Sequence, residues 1–354
     1  TFDVNIAPQS SQEYEIDSLE LEKDNHNSVV FEYLAGDFLI ASEQIILSEG
    51  KLSADINSDG KTAVKPSENK LYITFDNGSM IFDKSTGFIT SYIYKNHEMI
   101  NSFPLGDFKG FAPAFYRAPL DNDRNICKYW HTMGLQNTSN ICKGSSFTDN
   151  GDNIVVTTNI KSIANCILPV ANTQIKYTIY PNGNILVDVN CLGGGAVKLL
   201  PRFGVMLEMP KEYENIKYFG LGEDVNLPDY KEHTINKVYQ TTVDKLKEDY
   251  IKPQESATRC DVRLAEITNA SGFGLRFEAV SKPFVFSASH YTSNQWAKAM
   301  HRDDLVDLPT TCVNIDSSVL GAGSNACGPL PDKKDRVGSL SGKKLSFVVK
   351  PIGE

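Results

Sequence analysis

The stretch LYITFDNGSMIFD, Leu71 to Asp83, decides the fold class of this chain. Leu71, Ile73 and Phe75 recur with the period of two that puts alternate side chains on one face of a β-strand. Asn77-Gly78 offers a tight hairpin turn, and SMIFD returns as the second strand. FITSYIY (88 to 94) repeats the pattern, and Pro181-Asn182-Gly183 turns another strand into NILVDVN (184 to 190). LRFEAV, FVFSAS, TCVNID and LSFVVK supply further strands towards the C-terminus. Only SNQWAKAMH (293 to 301) reads as a helix, with Ser293 as its N-cap. So many short strands with turn signals imply an all-β antiparallel sandwich rather than βαβ units.

Outward from this stretch the composition changes. Upstream, SVVFEYL (28 to 34) and SEQIIL (42 to 47) flank a Gly36-Asp37 turn, about half of a small β-sandwich. Residues 51 to 68, KLSADINSDGKTAVKPSE, are polar and rich in Ser, Asp, Gly and Pro. The expected organisation is therefore a partial sandwich domain over 1–52, a linker over 53–66 and a large β domain over 67–354. At 354 residues the chain is long enough for more than one unit and a sizeable core.

The charge narrows the partners. A net charge of -9 disfavours nucleic acid and anionic membrane surfaces, both of which would repel the chain, and suits a neutral ligand. No apolar run approaches the roughly 18 residues of a membrane span. The start, TFDVNIAPQ, has no initiator Met and no signal-peptide pattern and reads as an internal start. Cytoplasm and periplasm of a bacterium both fit. The seven cysteines (127, 142, 166, 191, 260, 312 and 327) are odd in number and form no CxxC pair, so reduced, buried thiols are expected. Asn77-Gly-Ser, Asn137-Thr-Ser and Asn269-Ala-Ser match the glycosylation pattern, a match short enough to be common by chance.

Several segments could carry chemistry. GAGSNA (321 to 326) satisfies a GxGxxA pattern, but Pro329 and Pro331 forbid the helix that a dinucleotide site requires, so it reads as a loop. His97-Glu98 begins a zinc motif that Asn101 breaks, and His290 reads as a packed histidine. In FYRAPLDND (115 to 123), Asp121 and Asp123 stand too close together to straddle a sugar. Arg117, Asp121, Asn122 and Asp123 read as a turn brace. GLGEDVNLPD (220 to 229) carries two glycines and a Pro228-Asp229 turn. ATRCDVR (257 to 263) places Arg259, Asp261 and Arg263 on one strand face as a solvated or interface charge ladder. TCVNIDSS (311 to 318) differs in kind, because a strand bearing Asn314 and Asp316 runs into the Gly321 loop, where binding groups concentrate.

Taken in order, FYRAPLDND, PRFG at Pro201, FGLGEDVNLPD, TRCDVR, FSASHYT at Phe286 and CVNIDSSVLGAGSNACGP resemble the C-terminal region of the family 2 glycoside hydrolase β-galactosidases. The resemblance covers about 67–354, and 1–50 looks more weakly like part of an immunoglobulin-like domain. It implies a β-supersandwich of the galactose mutarotase-like type, packed on a TIM barrel or a large subunit that carries both catalytic glutamates, in a homo-oligomeric parent enzyme. This chain has neither the Asn-Glu dipeptide nor the Glu-Tyr-Ala-His context of those glutamates, so no catalytic residue carries over. The family's magnesium and sodium ligands also lie mainly elsewhere, leaving no cofactor expected here. A family tryptophan that serves as a sugar platform corresponds to Cys312, whose thiol offers a small fraction of the stacking area. Val225 and Leu227 also depart from the acidic and aromatic residues that flank Asn226 in the family.

The reading that results is a non-catalytic C-terminal portion of a β-galactosidase, with Cys312, Asn314 and Asp316 as candidate contacts to a β-galactoside. One alternative is a stand-alone aldose 1-epimerase-like enzyme, with His233 or His290 and Glu278 as its only visible acid and base. Another is a carbohydrate-binding module, disfavoured because Trp130 and Trp296, the only tryptophans, read as packing residues.

Overall fold

A computed structural model describes residues 3–15, 19–52, 56, 59–100 and 110–353. The chain divides into two compact units, Thr1–Lys51 and Leu52–Glu354. The first contains one hairpin, His26–Ala35 against Phe38–Glu49, turning at Gly36-Asp37. Two strands alone cannot bury an apolar face, and Val30, Phe38 and Ile40 stay exposed within this unit.

The second unit is an all-β supersandwich of antiparallel sheets with few helices. A nine-stranded sheet runs in the order Ile235–Thr242, Asn215–Gly222, Leu264–Thr268, Gly274–Ala279, Lys344–Ile352, Ile185–Gly194, Leu168–Ile179, Ile154–Ala164 and Thr138–Asp149. A five-stranded sheet runs Arg259–Val262, Phe284–Ser289, Thr310–Val319, Arg202–Pro210 and Ala112–Ala114. A third sheet is built in simple sequence order from Ala63–Pro66 to His97–Glu98. One continuous apolar core draws side chains from all three, among them Ile73, Phe82, Tyr177, Val187, Phe277, Val313, Ile315 and Phe347. Alternation explains this sharing: in Lys70–Phe75, Leu71, Ile73 and Phe75 are buried and the residues between them are not.

Local chemistry shifts some boundaries from those expected. The hairpin of Lys70–Phe75 with Gly78–Asp83 turns at Asp76-Asn77, because Gly78 already pairs with Phe75 and Asn77 takes the left-handed conformation (φ 61°). Ala63–Pro66, inside the polar stretch expected as linker 53–66, is a strand paired with Lys70–Phe75. Residues 53–55 and 57–58 of that stretch lie outside the described residues. The helix expected over 293–301 spans Ser293–Lys298, and its N-cap is Thr292 rather than Ser293. Thr292 Oγ1 accepts from Gln295 N at 3.1 Å, and Gln295 Oε1 accepts from Thr292 N at 2.8 Å, a reciprocal capping box.

A second helix, Ile126–Met133, was not anticipated from the sequence. It buries Ile126 and Trp130, four residues apart on one face, and ends at Gly134, whose φ of 73° closes the last turn. Trp130 anchors it further by donating Nε1–H to Leu199 O at 2.7 Å.

Ile315 is fully buried in the centre of the five-stranded sheet. Ile315→Ala is expected to lower unfolding free energy by about 2–5 kcal/mol, measured by denaturant titration.

Candidate functional site

The pleat of Thr310–Val319 sorts its residues into two sets. Val313 and Ile315 enter the main core, so Cys312, Asn314 and Asp316 lie on the opposite face of the sheet. Neighbouring strands extend this face, since Glu208, Met206 and Gly204 pair with Cys312, Asn314 and Asp316 on one side. Ser289, Ser287 and Val285 pair with the same three on the other. Gly204 is required there, because a Cβ would collide with the Asp316 carboxylate and the Ile315 carbonyl.

The three residues singled out from the sequence have different surroundings. Asp316 is wholly buried and faces Arg202 at 3.2 Å, while Arg202 also donates to Ser287 Oγ at 3.4 Å. Burial lifts the Asp316 carboxyl to about 7 against the pull of Arg202, and Glu255 adds to the rise. Cys312 packs against Ala114, Met206 and Leu308. Burial, with the Glu208 charge beside it, holds its thiol well above the usual range, so it stays protonated. Asn314, 8% exposed, donates Nδ2–H to Ser287 Oγ at 3.3 Å, while its Oδ1 has no hydrogen-bond partner among the described residues. Asn314 lines a cavity, a space of about 60 Å³ that it shares with Met206, Ala114, Phe115, Gln136 and Asn294. That volume admits a few waters.

Glu208 was not singled out from the sequence, although it is the one charged residue in FGVMLEM (203 to 209). It is buried beside Cys312, and burial pushes its carboxyl up to about 7 against a hydrogen bond from Thr310. Such an acid holds a proton near neutrality and can donate as well as accept.

Three sequence motifs meet at one end of this face. Arg117 and Asp123 form a buried ion pair at 2.7 Å, and Asp123 Oδ2 also accepts from Leu120 N at 2.8 Å. Arg117 reaches on to Leu320 O at 3.3 Å and lies over the Trp130 ring. Asn122 donates to Gly323 O at 2.6 Å, and Asp121 N donates to Gln254 Oε1 at 2.8 Å. Asp229, from GLGEDVNLPD, accepts from Ala322 N and Gly323 N at 2.6 and 2.8 Å. Residues 321–326 thus form a clamped loop without a helix. Asn226 is committed too: its Nδ2 donates to Leu221 O and Asp224 O, and its Oδ1 accepts from Cys260 N at 2.6 Å.

The charge ladder expected at 259–263 is corrected. Asp261 adopts φ 52° and the register shifts between Arg259 and Val262, so the period of two breaks. Arg259 is buried, donating to Thr258 O at 3.0 Å and Leu246 O at 3.1 Å. Asp261 pairs with Lys231 at 2.8 Å, and Arg263 is buried over the Phe219 ring. The groups considered for an epimerase each have other partners. Glu278, on the nine-stranded sheet, pairs with Lys350 at 2.8 Å, His290 is buried just past the strand Phe284–Ser289 near Thr310 O at 3.3 Å, and His233 packs against the Tyr230 ring. His97 stacks on Phe273. Of the cysteines, 191, 260 and 312 are buried, 127 and 142 half-buried and 166 and 327 exposed, so the expectation of mostly buried thiols holds for three of the seven. Among the described residues no three His, Cys, Asp or Glu come together as a metal-ligand set.

Two measurements follow from this geometry. Asp123→Ala strands the Arg117 cation and should cost about 3–5 kcal/mol, whereas joint replacement Arg117→Met with Asp123→Leu should cost less, both read by denaturant titration. Glu208 has a folded-state pKa above its unfolded one, so the native state keeps a proton that the unfolded chain releases. Its stabilising share is full below pH 4.5 and is lost as pH rises to about 7, a loss on the order of 3 kcal/mol. Comparing unfolding at pH 5 and pH 8, Glu208→Gln should narrow the difference, with Asp316 leaving a residual decline of the same sign.

The sequence profile of the β-galactosidase small chain matches residues 74–349. A β-galactosidase of Actinobacillus pleuropneumoniae is 28% identical over 84% of this chain, which spans 29% of that protein. For the β-galactosidase of Streptococcus thermophilus the identity is 24%, over 99% of this chain and 33% of that protein. Among solved structures, a galactose 1-epimerase of Lactobacillus acidophilus NCFM aligns over 93% of this chain and 100% of its own, with a TM-score of 0.49 and 8% identity. With a match that takes in the strands and loops of the Asn314 face, this chain belongs to the β-galactosidase small chain family.

Proposed function

We propose that this chain is a non-catalytic C-terminal portion of a β-galactosidase, packing on a catalytic TIM barrel, or on a large subunit that contains it, in a homo-oligomeric enzyme. The observation that carries this reading is its extent: a small-chain match over most of the chain, which spans only 29% of a β-galactosidase relative. The reaction served would be hydrolysis of terminal β-galactosides, with the glutamates supplied by the remaining polypeptide.

Within that enzyme, Asn314 is the group best placed to meet a sugar. Asn314 lines the cavity, and its buried Oδ1, without a hydrogen-bond partner among the described residues, is an acceptor that a hydroxyl can satisfy, fixing orientation without acid or base chemistry. Cys312 would act through the packing it shares with Met206 and Leu308, and Asp316 through Arg202 and the shape of the sheet. The contribution is positioning and exclusion of water.

Purified alone, the chain should release no nitrophenol from nitrophenyl β-galactoside above the uncatalysed rate. Saturable turnover that survives repeated purification would overturn the proposal.

A further inference from the structure

We infer that a second cavity, framed by residues 247–256 and 291–305, is a saccharide-binding site whose lining residues are distinct from those of the Asn314 cavity. Its volume is about 190 Å³. That is below the roughly 300 Å³ at which pockets for drug-sized ligands begin, and suits a single sugar ring.

The walls combine the groups that grip a polyol. Tyr250, Tyr291 and Trp296 line the cavity, with Tyr291 and Trp296 packed together at 6.4 Å between ring centroids and Tyr250 40% exposed. Aromatic rings offer a face to the apolar C–H side of a pyranose. Asp249, Gln254 and Arg302 also line it. Carboxylate oxygens accept from ring hydroxyls, an amide NH₂ donates to them, and a guanidinium donates to two neighbouring oxygens at once. Arg302 is held only loosely by Asp303, 3.9 Å away, and Asp249 by Lys247 at 3.5 Å, so both are available to a ligand.

Charge and rim point to a neutral ligand. The wall carries Lys247 and Arg302 against Glu248, Asp249 and Asp303, a mixture that favours neither anion nor cation. Beside it, Ile251 is 77% exposed and Met300 70% exposed, apolar surface that a hydrated ion gains nothing by covering and that a sugar or its aglycone can bury.

The framework is fixed before any ligand arrives. Arg302 N donates to Ile251 O at 3.0 Å, joining the two loops. Glu248 N donates to Ser256 Oγ at 3.1 Å, and the Tyr291 hydroxyl donates to Asp307 at 2.6 Å, itself paired with Lys211. A preorganised wall lowers the ordering cost of binding a small ligand.

The test is calorimetry and saturation-transfer NMR on the whole chain with D-galactose, methyl β-galactoside and lactose, and with inorganic phosphate as the anion control. Saturable millimolar or tighter sugar binding is expected, unaffected by phosphate. Tyr250→Ala and Arg302→Ala should each weaken it about tenfold at unchanged melting temperature, because both side chains lie at the surface. Absence of saturable binding, competition by phosphate, indifference to both substitutions, or loss through Asn314→Ala instead would each overturn the assignment.

Discussion

The pleat of one strand, Thr310–Val319, is the constraint on which the candidate site depends. Its odd-numbered residues Val313 and Ile315 are held in the shared core, and that leaves Cys312, Asn314 and Asp316 no choice of face. A slip of one residue would bury an amide and a carboxylate in the core, so the hydrophobic effect fixes the register of the polar face as firmly as that of the apolar one. Both flanking strands follow the same pleat, bringing Glu208 beside Cys312 and Ser287 beside Asn314.

Burial of charge is the second organising feature. Arg117 with Asp123 and Arg202 with Asp316 are ion pairs removed from water, so each member depends on the other staying in place. Around them, FYRAPLDND, GLGEDVNLPD and the glycine loop after Val319 are joined through Leu320, Ala322 and Gly323. Segments some two hundred residues apart in sequence thus share one set of backbone partners, and that suits a surface meant to present fixed groups to a neighbour. In the proposed enzyme such a surface contributes shape and a few hydrogen bonds, while the bond-breaking acids come from elsewhere.

Much of the strand pattern was legible directly. FITSYIY is the strand Phe88–Tyr94 without adjustment, and the Pro181-Asn182-Gly183 turn lies where its residues placed it. The departures have separate causes. Ile126–Met133 was passed over as a helix although Ile126, Trp130 and Gly134 mark it, because its stabilisation comes from burying Trp130 rather than from strong local propensity. Arg259, Asp261 and Arg263 looked like a ladder because nothing local announces the left-handed Asp261 that breaks it. Glu208 was hidden for the opposite reason: a lone acid in an apolar strand says nothing about which face it occupies until its neighbours are known.

By itself the sequence determined the all-β class, through the period of two, and the family, through six motifs in a fixed order. Both are carried by covalent spacing along the chain, which folding does not alter. Only the tertiary structure decided that Asn314 lines a cavity and which carboxyls rise to about 7. Those properties depend on what covers a side chain, and the covering groups arrive from strands and loops far away in sequence.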